Sequence, residues 1–148
     1  MIDKLTVSSP AVTEGGTLAV RVMLGVIFIN AGLGDFRLGI GEAARMHGEA
    51  GIPLSDLSAP YTAFVQVIGG TLLALGALTR VWAAGLLVVM LGAVLIVHRG
   101  EGLEGFGYPL MLAVVLAALF ASGPGRYSLD ALLADRRDRA RRSRHALG

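Results

Sequence analysis

Four long apolar runs, separated by polar or glycine-rich segments, decide what a chain of 148 residues can fold into. Each run holds about 16 to 18 residues, the lower limit for a helix that crosses a hydrocarbon core about 30 Å thick. Buried helices of a soluble protein are the alternative, but runs that are apolar all round leave too little polar surface for that. With a composition 54% hydrophobic and 16% charged, the chain is predicted to be an integral membrane protein. The predicted spans are residues 18–33, 61–78, 81–97 and 106–121.

The predicted fold class is therefore all-α, an antiparallel four-helix membrane bundle over residues 1–125 with an arginine-rich tail over residues 126–148. Glycines recur at a spacing of seven residues within three of the runs. Seven residues is close to two helical turns, so each pair marks one face where a neighbouring backbone can come close. The pairs interpreted as packing seams are Gly25 and Gly32, Gly69 and Gly76, and Gly85 and Gly92.

Charge is distributed unevenly between the two parts. The tail from Arg126 onward holds seven arginines and three aspartates, a net charge of +4, whereas residues 1–125 carry −2. Basic residues concentrate on the cytoplasmic side of membrane proteins. Both termini are therefore predicted to be cytoplasmic, with residues 34–59 and 98–105 forming loops on the opposite side.

The tail itself has the pattern of a short amphipathic helix. Ser128 is placed to cap it, and three leucines precede the arginines. Attachment to an anionic membrane surface and docking of a soluble partner both remain open, while nothing in the pattern favours nucleic acid. The arginines concerned are Arg136, Arg137, Arg139, Arg141, Arg142 and Arg144.

Three polar residues inside the predicted spans need a physical reason. The guanidinium of Arg21 either reaches the headgroups or faces the bundle and holds an anionic group, for which Asp130, a lipid phosphate and a quinone head are the options. The amides of Gln66 and Asn30 either bond a neighbouring helix or contribute to a ligand site. No predicted span contains a carboxylic acid, and this counts against a transporter.

Ionisable residues also cluster after the third run. His98, Glu101 and Glu104 recur at intervals of three, and the first loop supplies His47, Glu49 and Asp56 on the same side. The group is compatible with a solvated loop or with a proton or quinone site. Their spacing is not a metal-ligand motif, so no metal is predicted. Because the chain has no cysteine, thiol chemistry is excluded and any redox group must be bound.

These elements together resemble the DoxX family of small bacterial membrane proteins. The resemblance rests on their order over residues 18–133, and no single motif is diagnostic. It is carried by Arg21-x-x-x-Gly25-x-x-Phe28-x-x-x-Gly32, Gly51-Ile52-Pro53, Gly69-Gly70, Gly76-x-x-Thr79-Arg80, His98 and Gly123-Pro124-Gly125-x-x-Ser128-Leu129-Asp130.

The resemblance implies a four-helix subunit of the bacterial cell membrane that anchors or assists a respiratory or stress-related redox complex. It leaves open whether the chain is itself an enzyme and whether it self-associates. Where the family commonly has a glutamate before Gly69 and a lysine after the first helix, this chain has Gln66 and Asp35, and an amide cannot titrate.

Partner redox proteins and a quinone are the implied ligands, with Arg21, Gln66, His98 and Glu104 as candidate binding residues. A stand-alone quinone-reactive oxidoreductase and a small transporter are the alternatives.

Overall fold

The computed structural model describes residues 10–145, and those residues form helices and connecting turns without any β-strand. The long third span continues beyond α4 as one turn of π-helix, which we call the π segment. The elements are α1 (Pro10–Leu38), α2 (Ile40–Glu49), α3 (Ser55–Leu75), α4 (Thr79–Gly92), the π segment (Ala93–Val97), α5 (Leu103–Ser122) and α6 (Leu129–His145).

Four stretches among the described residues are long and apolar enough to cross a membrane, which confirms the predicted fold class. They are Val12–Leu38, Ser55–Leu75, Thr79–Val97 and Leu103–Ser122. The first is much longer than the predicted span 18–33. Its 29-residue helix, about 43 Å long at about 1.5 Å per residue, continues through Asp35. The first helix therefore carries a carboxylic acid, Asp35, in its last turn, beyond the end of the predicted span.

The predicted loop 34–59 is also partly helical, because it contains α2. Gly39, at a φ of 100°, separates α2 from α1. One face of α2 presents Ala43 and Ala44, which form a small buried cluster with Ala59 of α3. Short side chains allow the two helices to approach closely, so α2 folds back on the bundle.

Helix α1 packs along α3, and α4 packs along α5, while α1 and α5 touch little. The common core consists of large apolar side chains that are almost fully buried, and apolar side chains on the outer faces are exposed to the lipid. The buried set includes Leu24, Phe28, Leu73, Leu86 and Leu116.

Glycines permit the closest helix contacts. A Cβ atom on Gly25 would lie 2.6 Å from the Cβ of Ala74, and one on Gly32 would lie 2.7 Å from the carbonyl oxygen of Ala63. Gly69 leaves room for the ring of Trp82, where a Cβ would come within 2.9 Å. These three glycines set the distances between α1, α3 and α4.

Two more of the six glycines interpreted as seams, Gly85 and Gly92, behave differently. A Cβ on Gly85 would meet one methyl group at 3.9 Å, and one on Gly92 would have no neighbour within 4 Å. The interpretation of Gly92 as a packing contact within this chain is therefore wrong. Instead, Gly92 immediately precedes the π segment, whose closing hydrogen bond runs from the His98 backbone N–H to the Ala93 carbonyl over 3.0 Å.

Candidate functional site

The structure has two candidate regions at opposite ends of the bundle. We call the end formed by the α3–α4 turn and the α5–α6 linker (residues 123–128) the tail end. The end formed by α2 and residues 98–102 is the loop end.

Arg21 lies at the tail end and faces the bundle, so it does not snorkel toward the headgroups. It is 1% exposed. Its guanidinium donates hydrogen bonds to the backbone carbonyls of Pro124 and Tyr127, the second at 2.6 Å. The linker therefore covers the guanidinium and is attached to α1 through these two hydrogen bonds.

Asp130, the second residue of α6, bonds the same region from the other side. Its carboxylate accepts the backbone N–H groups of Leu78 at 2.9 Å and Thr79 at 3.1 Å, at the start of α4. Its own N–H donates to the carbonyl of Gly76 at 3.0 Å. A carboxylate at a helix N-terminus satisfies N–H groups that have no partner inside the helix and interacts favourably with the helix dipole.

Gly76 makes this arrangement possible in two ways. Its φ of 72° is strained for any residue with a Cβ atom. A Cβ there would lie 2.6 Å from that of Ser128 and 2.8 Å from Nη1 of Arg21. The Gly76, Ser128 and Asp130 elements of the resemblance thus meet Arg21 at one place.

At the tail end, protein groups hold the guanidinium of Arg21. Two backbone carbonyls occupy the guanidinium, and its buried Nε has no partner among the described residues. Asp130 is near enough to interact electrostatically. Asp130, a lipid phosphate and a quinone head were the predicted anionic partners of Arg21. In the structure its hydrogen-bond acceptors are backbone carbonyls, with Asp130 nearby, and this arrangement gives Arg21 a structural role.

The loop end contains two adjoining cavities. The inner cavity has a volume of about 230 Å³ and lies between α1, α3, the π segment and α5. The outer cavity, about 460 Å³, lies between α1, α2, α3 and the π segment. Both are lined by Ala31, Gln66, Met90 and Ala93, so they meet at Gln66.

Gln66 and His98 both line the inner cavity, although 32 positions separate them in the chain. Gln66 is 8% exposed, and its side-chain oxygen is buried without a hydrogen-bond partner among the described residues. The Nδ1 atom of His98 lies 2.7 Å from a carboxylate oxygen of Glu101. Buried polar atoms are nearly always bonded, so the amide oxygen points to a missing partner.

Glu104 and Arg21 do not join this pair. Glu104 is exposed in the first turn of α5 and lines neither cavity, while Arg21 lies at the opposite end of the bundle. Of the four candidate ligand residues, the structure brings together two.

The outer cavity includes His47 of the predicted ionisable group, together with Asp35, which was not predicted as a site residue. Asp35 is half-buried in the last turn of α1, and the ring of His47 bonds the hydroxyl of Ser58 at 3.1 Å between Nδ1 and Oγ. Within residues 10–145, no three histidine, aspartate or glutamate side chains come together as metal ligands.

Charged groups on α2 are paired with one another. Arg45 forms salt bridges with Glu42 and Glu49 on the same exposed helix face. The hydrogen bond and charge of Arg45 lower the pKa of Glu42, and both carboxylates raise the pKa of Arg45. These charges are therefore not directed at the outer cavity.

The described arginines of the tail are exposed on α6. Arg139 pairs with Asp135 at 2.8 Å, while Arg136 and Arg137 have no salt bridge within the described part of the chain. The side chains of Arg141, Arg142 and Arg144 lie outside the described residues.

The π segment is the feature that the sequence could not reveal, because an apolar run of Ala, Val, Leu and Ile is equally compatible with an α-helix. The position of Asp35 had a weak signal. It follows the first apolar run closely, so an extension of α1 by two turns was enough to bring it beside the bundle.

Comparison with known proteins gives three results. The family model described as DoxX matches residues 16–99. The "Uncharacterized membrane protein Rv3486" of Mycobacterium tuberculosis is 34% identical over 137 residues, covering 80% of this chain and 82% of that protein. The "Putative oxidoreductase CatD" of Bacillus subtilis is 32% identical over 112 residues, covering 74% and 81% of the two chains. No solved structure shows significant similarity to this chain.

Proposed function

Because this chain belongs to the DoxX family of membrane proteins, we propose that it is a membrane subunit of a redox complex and holds a quinone in the inner cavity. The observation that carries this proposal is the buried oxygen of Gln66, which has no partner and lines an apolar cavity that also contains His98. The name of CatD, as an oxidoreductase, is consistent with a redox setting.

The inner cavity suits the head of a quinone in shape and polarity. Phe28, Leu112 and Met90 provide apolar walls for a flat ring. The Gln66 oxygen would accept a hydrogen bond from a quinol hydroxyl. After rotation of the amide, the Gln66 nitrogen would donate a hydrogen bond to the carbonyl of the oxidised quinone. One side chain thus binds both redox states.

His98 supplies the second polar contact and a place for a proton. Glu101 holds the imidazole through Nδ1, which leaves Nε2 as the other ring nitrogen available to a ligand. If a quinol were oxidised here, it would release two protons; the imidazole of His98 would accept one at Nε2, and the other would pass to solvent. The two electrons would pass to a redox group in a partner protein of the complex, because this chain has no thiol to accept them.

The tail is proposed to dock those partners. Helix α6 leaves the bundle at Asp130, which is bonded to the start of α4, and it presents Arg136 and Arg137 to solvent. The basic residues favour a cytoplasmic tail close to anionic lipid in the cell membrane. A soluble oxidoreductase with an acidic surface would bind the same helix.

The test is the quinone content of the full chain purified in mild detergent and extracted for mass spectrometry. We expect quinone in the wild-type protein and its loss in Gln66→Leu, which has a similar volume but no polar atom. Thr71→Val is the matched control, because that hydroxyl is exposed on the same helix and bonds its own backbone at Val67. Absence of quinone from the wild type, or equal content in all three proteins, would reject the proposal.

The docking role is tested separately by co-purification. Truncation after Asp135 should release soluble redox proteins from the complex without changing quinone content. Retention of every partner by the truncated chain would remove the tail from the proposed function.

A further inference from the structure

The outer cavity is a second site, with a chemistry different from that of the inner one. One wall is apolar and comes from Val89, Ile96 and Val97 of α4 and the π segment. The opposite wall carries a carboxylate, an imidazole and three hydroxyl groups, from Asp35, His47, Ser58, Tyr61 and Thr62. A cavity of this kind takes an amphipathic molecule with one polar group.

Asp35 is a carboxylate without a cation. It takes part in no salt bridge within residues 10–145, where the salt bridges at the loop end join Arg45 to its two glutamates and His98 to Glu101. Arg37 is nearby in the chain but exposed, and residues two apart on a helix point to different sides. The titratable group facing Asp35 from α2 is His47, whose ring bonds the hydroxyl of Ser58 and forms no salt bridge with Asp35 among the described residues.

The place of Asp35 in α1 makes an unpaired negative charge unfavourable. Its backbone carbonyl accepts the N–H of Gly39 at the end of the helix. The C-terminal end of a helix carries partial negative charge, so a carboxylate there is repelled and a cation is attracted. A positively charged group in the outer cavity would interact favourably with both the carboxylate and the helix end.

The charge of the whole loop end favours the same kind of ligand. Residues 34–59 and 98–105 contain six carboxylates and three arginines, an excess of three negative charges with the histidines neutral. The tail is basic in contrast. Acidic residues around the opening of a cleft raise the local concentration of cations and steer them into it.

We propose that the outer cavity binds an amphipathic molecule with a protonated amine, which pairs with Asp35 while its apolar part lies against the π segment. The site goes beyond the proposed quinone role and does not depend on it. Tyr61, exposed at this cavity, adds an aromatic face that attracts cations.

The test uses two probes of the same shape, 4-phenylbutylamine and the uncharged 4-phenylbutanol. The full chain is placed in nanodiscs of zwitterionic lipid, and binding is measured by equilibrium dialysis against empty nanodiscs. We expect the amine to bind more tightly than the alcohol. Asp35→Asn should weaken amine binding at least about tenfold, as expected for loss of a charge-assisted hydrogen bond, and should leave alcohol binding unchanged.

Two further variants separate the site from general surface charge. Asp35→Glu keeps the carboxylate and should bind the amine within a few-fold of the wild type. Asp56→Asn removes an exposed carboxylate of the loop end that does not line the cavity, and it should bind as the wild type does. Thermal unfolding verifies that each variant is folded.

The proposal is overturned if the amine binds the wild-type protein no better than the alcohol, a comparison that needs no variant. Equal amine affinity in the wild type and Asp35→Asn would also overturn it. So would an equal loss in Asp56→Asn, because attraction by the surface as a whole would then explain the binding. Quinone content is measured independently, so failure of either proposal is recognised without the other.

Discussion

The tail end and the loop end of this bundle use polar residues in opposite ways. At the tail end, both terminal nitrogens of Arg21 and the carboxylate of Asp130 are hydrogen-bonded to backbone groups of the linker and of the α3–α4 turn, although the Nε of Arg21 has no partner among the described residues. At the loop end, Gln66 has a buried oxygen without a partner and Asp35 has no salt bridge among the described residues, and both line cavities. Polar groups that are satisfied internally stabilise a fold, whereas unsatisfied ones in a cavity are available to a ligand.

This comparison predicts the largest loss of stability for Arg21→Met. The substitution leaves the partly buried carbonyls of Pro124 and Tyr127 without their donor, and loss of two charge-assisted hydrogen bonds costs about 3 kcal/mol or more. For a protein of this size we expect the thermal midpoint to fall by about 6 to 12 °C. Thermal unfolding in detergent measures it, with the exposed Arg37→Met as control. Equal midpoints for the two variants would show that the contacts of Arg21 do not stabilise the fold.

Gly76→Ala is expected to have the next largest effect. Alanine is strained at a φ of 72°, and its Cβ would overlap Ser128 and Arg21, so the cost is about 1 to 3 kcal/mol. Gly92→Ala is the matched control, because a Cβ there meets nothing and alanine is favoured in helices by up to about 1 kcal/mol. Unfolding midpoints should move in opposite directions. A common direction would contradict the assignment of these two glycines.

Asp130→Ala should cost about 1 kcal/mol, the usual value of an N-terminal cap, because Leu78 and Thr79 lose their acceptor. Hydrogen exchange is the sharper measurement, since faster exchange is expected specifically at the first turn of α4. Asp135→Ala removes an exposed aspartate of the same helix and serves as control. Unchanged exchange in Asp130→Ala would show that the cap is not formed in the membrane.

Gln66→Leu is predicted to have the smallest effect on stability, although it abolishes quinone retention. Its oxygen has no partner to lose, so the ligand-free protein should unfold within about 1 kcal/mol of the wild type. Thermal unfolding after removal of bound lipids and quinones provides the measurement. A loss as large as that of Arg21→Met would mean that the loop end is also built for stability.

Sequence reasoning predicts the four spans because hydropathy and length follow directly from the need to satisfy backbone groups inside lipid. The burial of Arg21 could not be decided, since snorkelling and bundle-facing arginines have the same pattern. Its contacts come from the linker more than 100 residues later, in a path set by tertiary packing. The placement of Gln66 beside His98 has the same origin.

The helix α2 was missed for a related reason. Gly39, Gly41 and Gly48 favour a loop, and the helix forms because Ala43 and Ala44 pack on α3. Tertiary contacts override local preference here. Asp35 was likewise assigned to a loop, since an apolar run gives no sign of how far its helix continues into polar sequence.

The hydrogen bonds from the backbone of Leu78 and Thr79 to the Asp130 carboxylate couple the start of α6 directly to the start of α4. A partner that pulls or turns α6 would act through the backbone bonds at Leu78 and Thr79 on the first turn of α4, without a flexible tether between them. At its other end α4 runs into the π segment, which forms a wall of both cavities. Displacement of the tail on one side of the membrane would therefore be conveyed along a single helix to the walls of the cavities on the other.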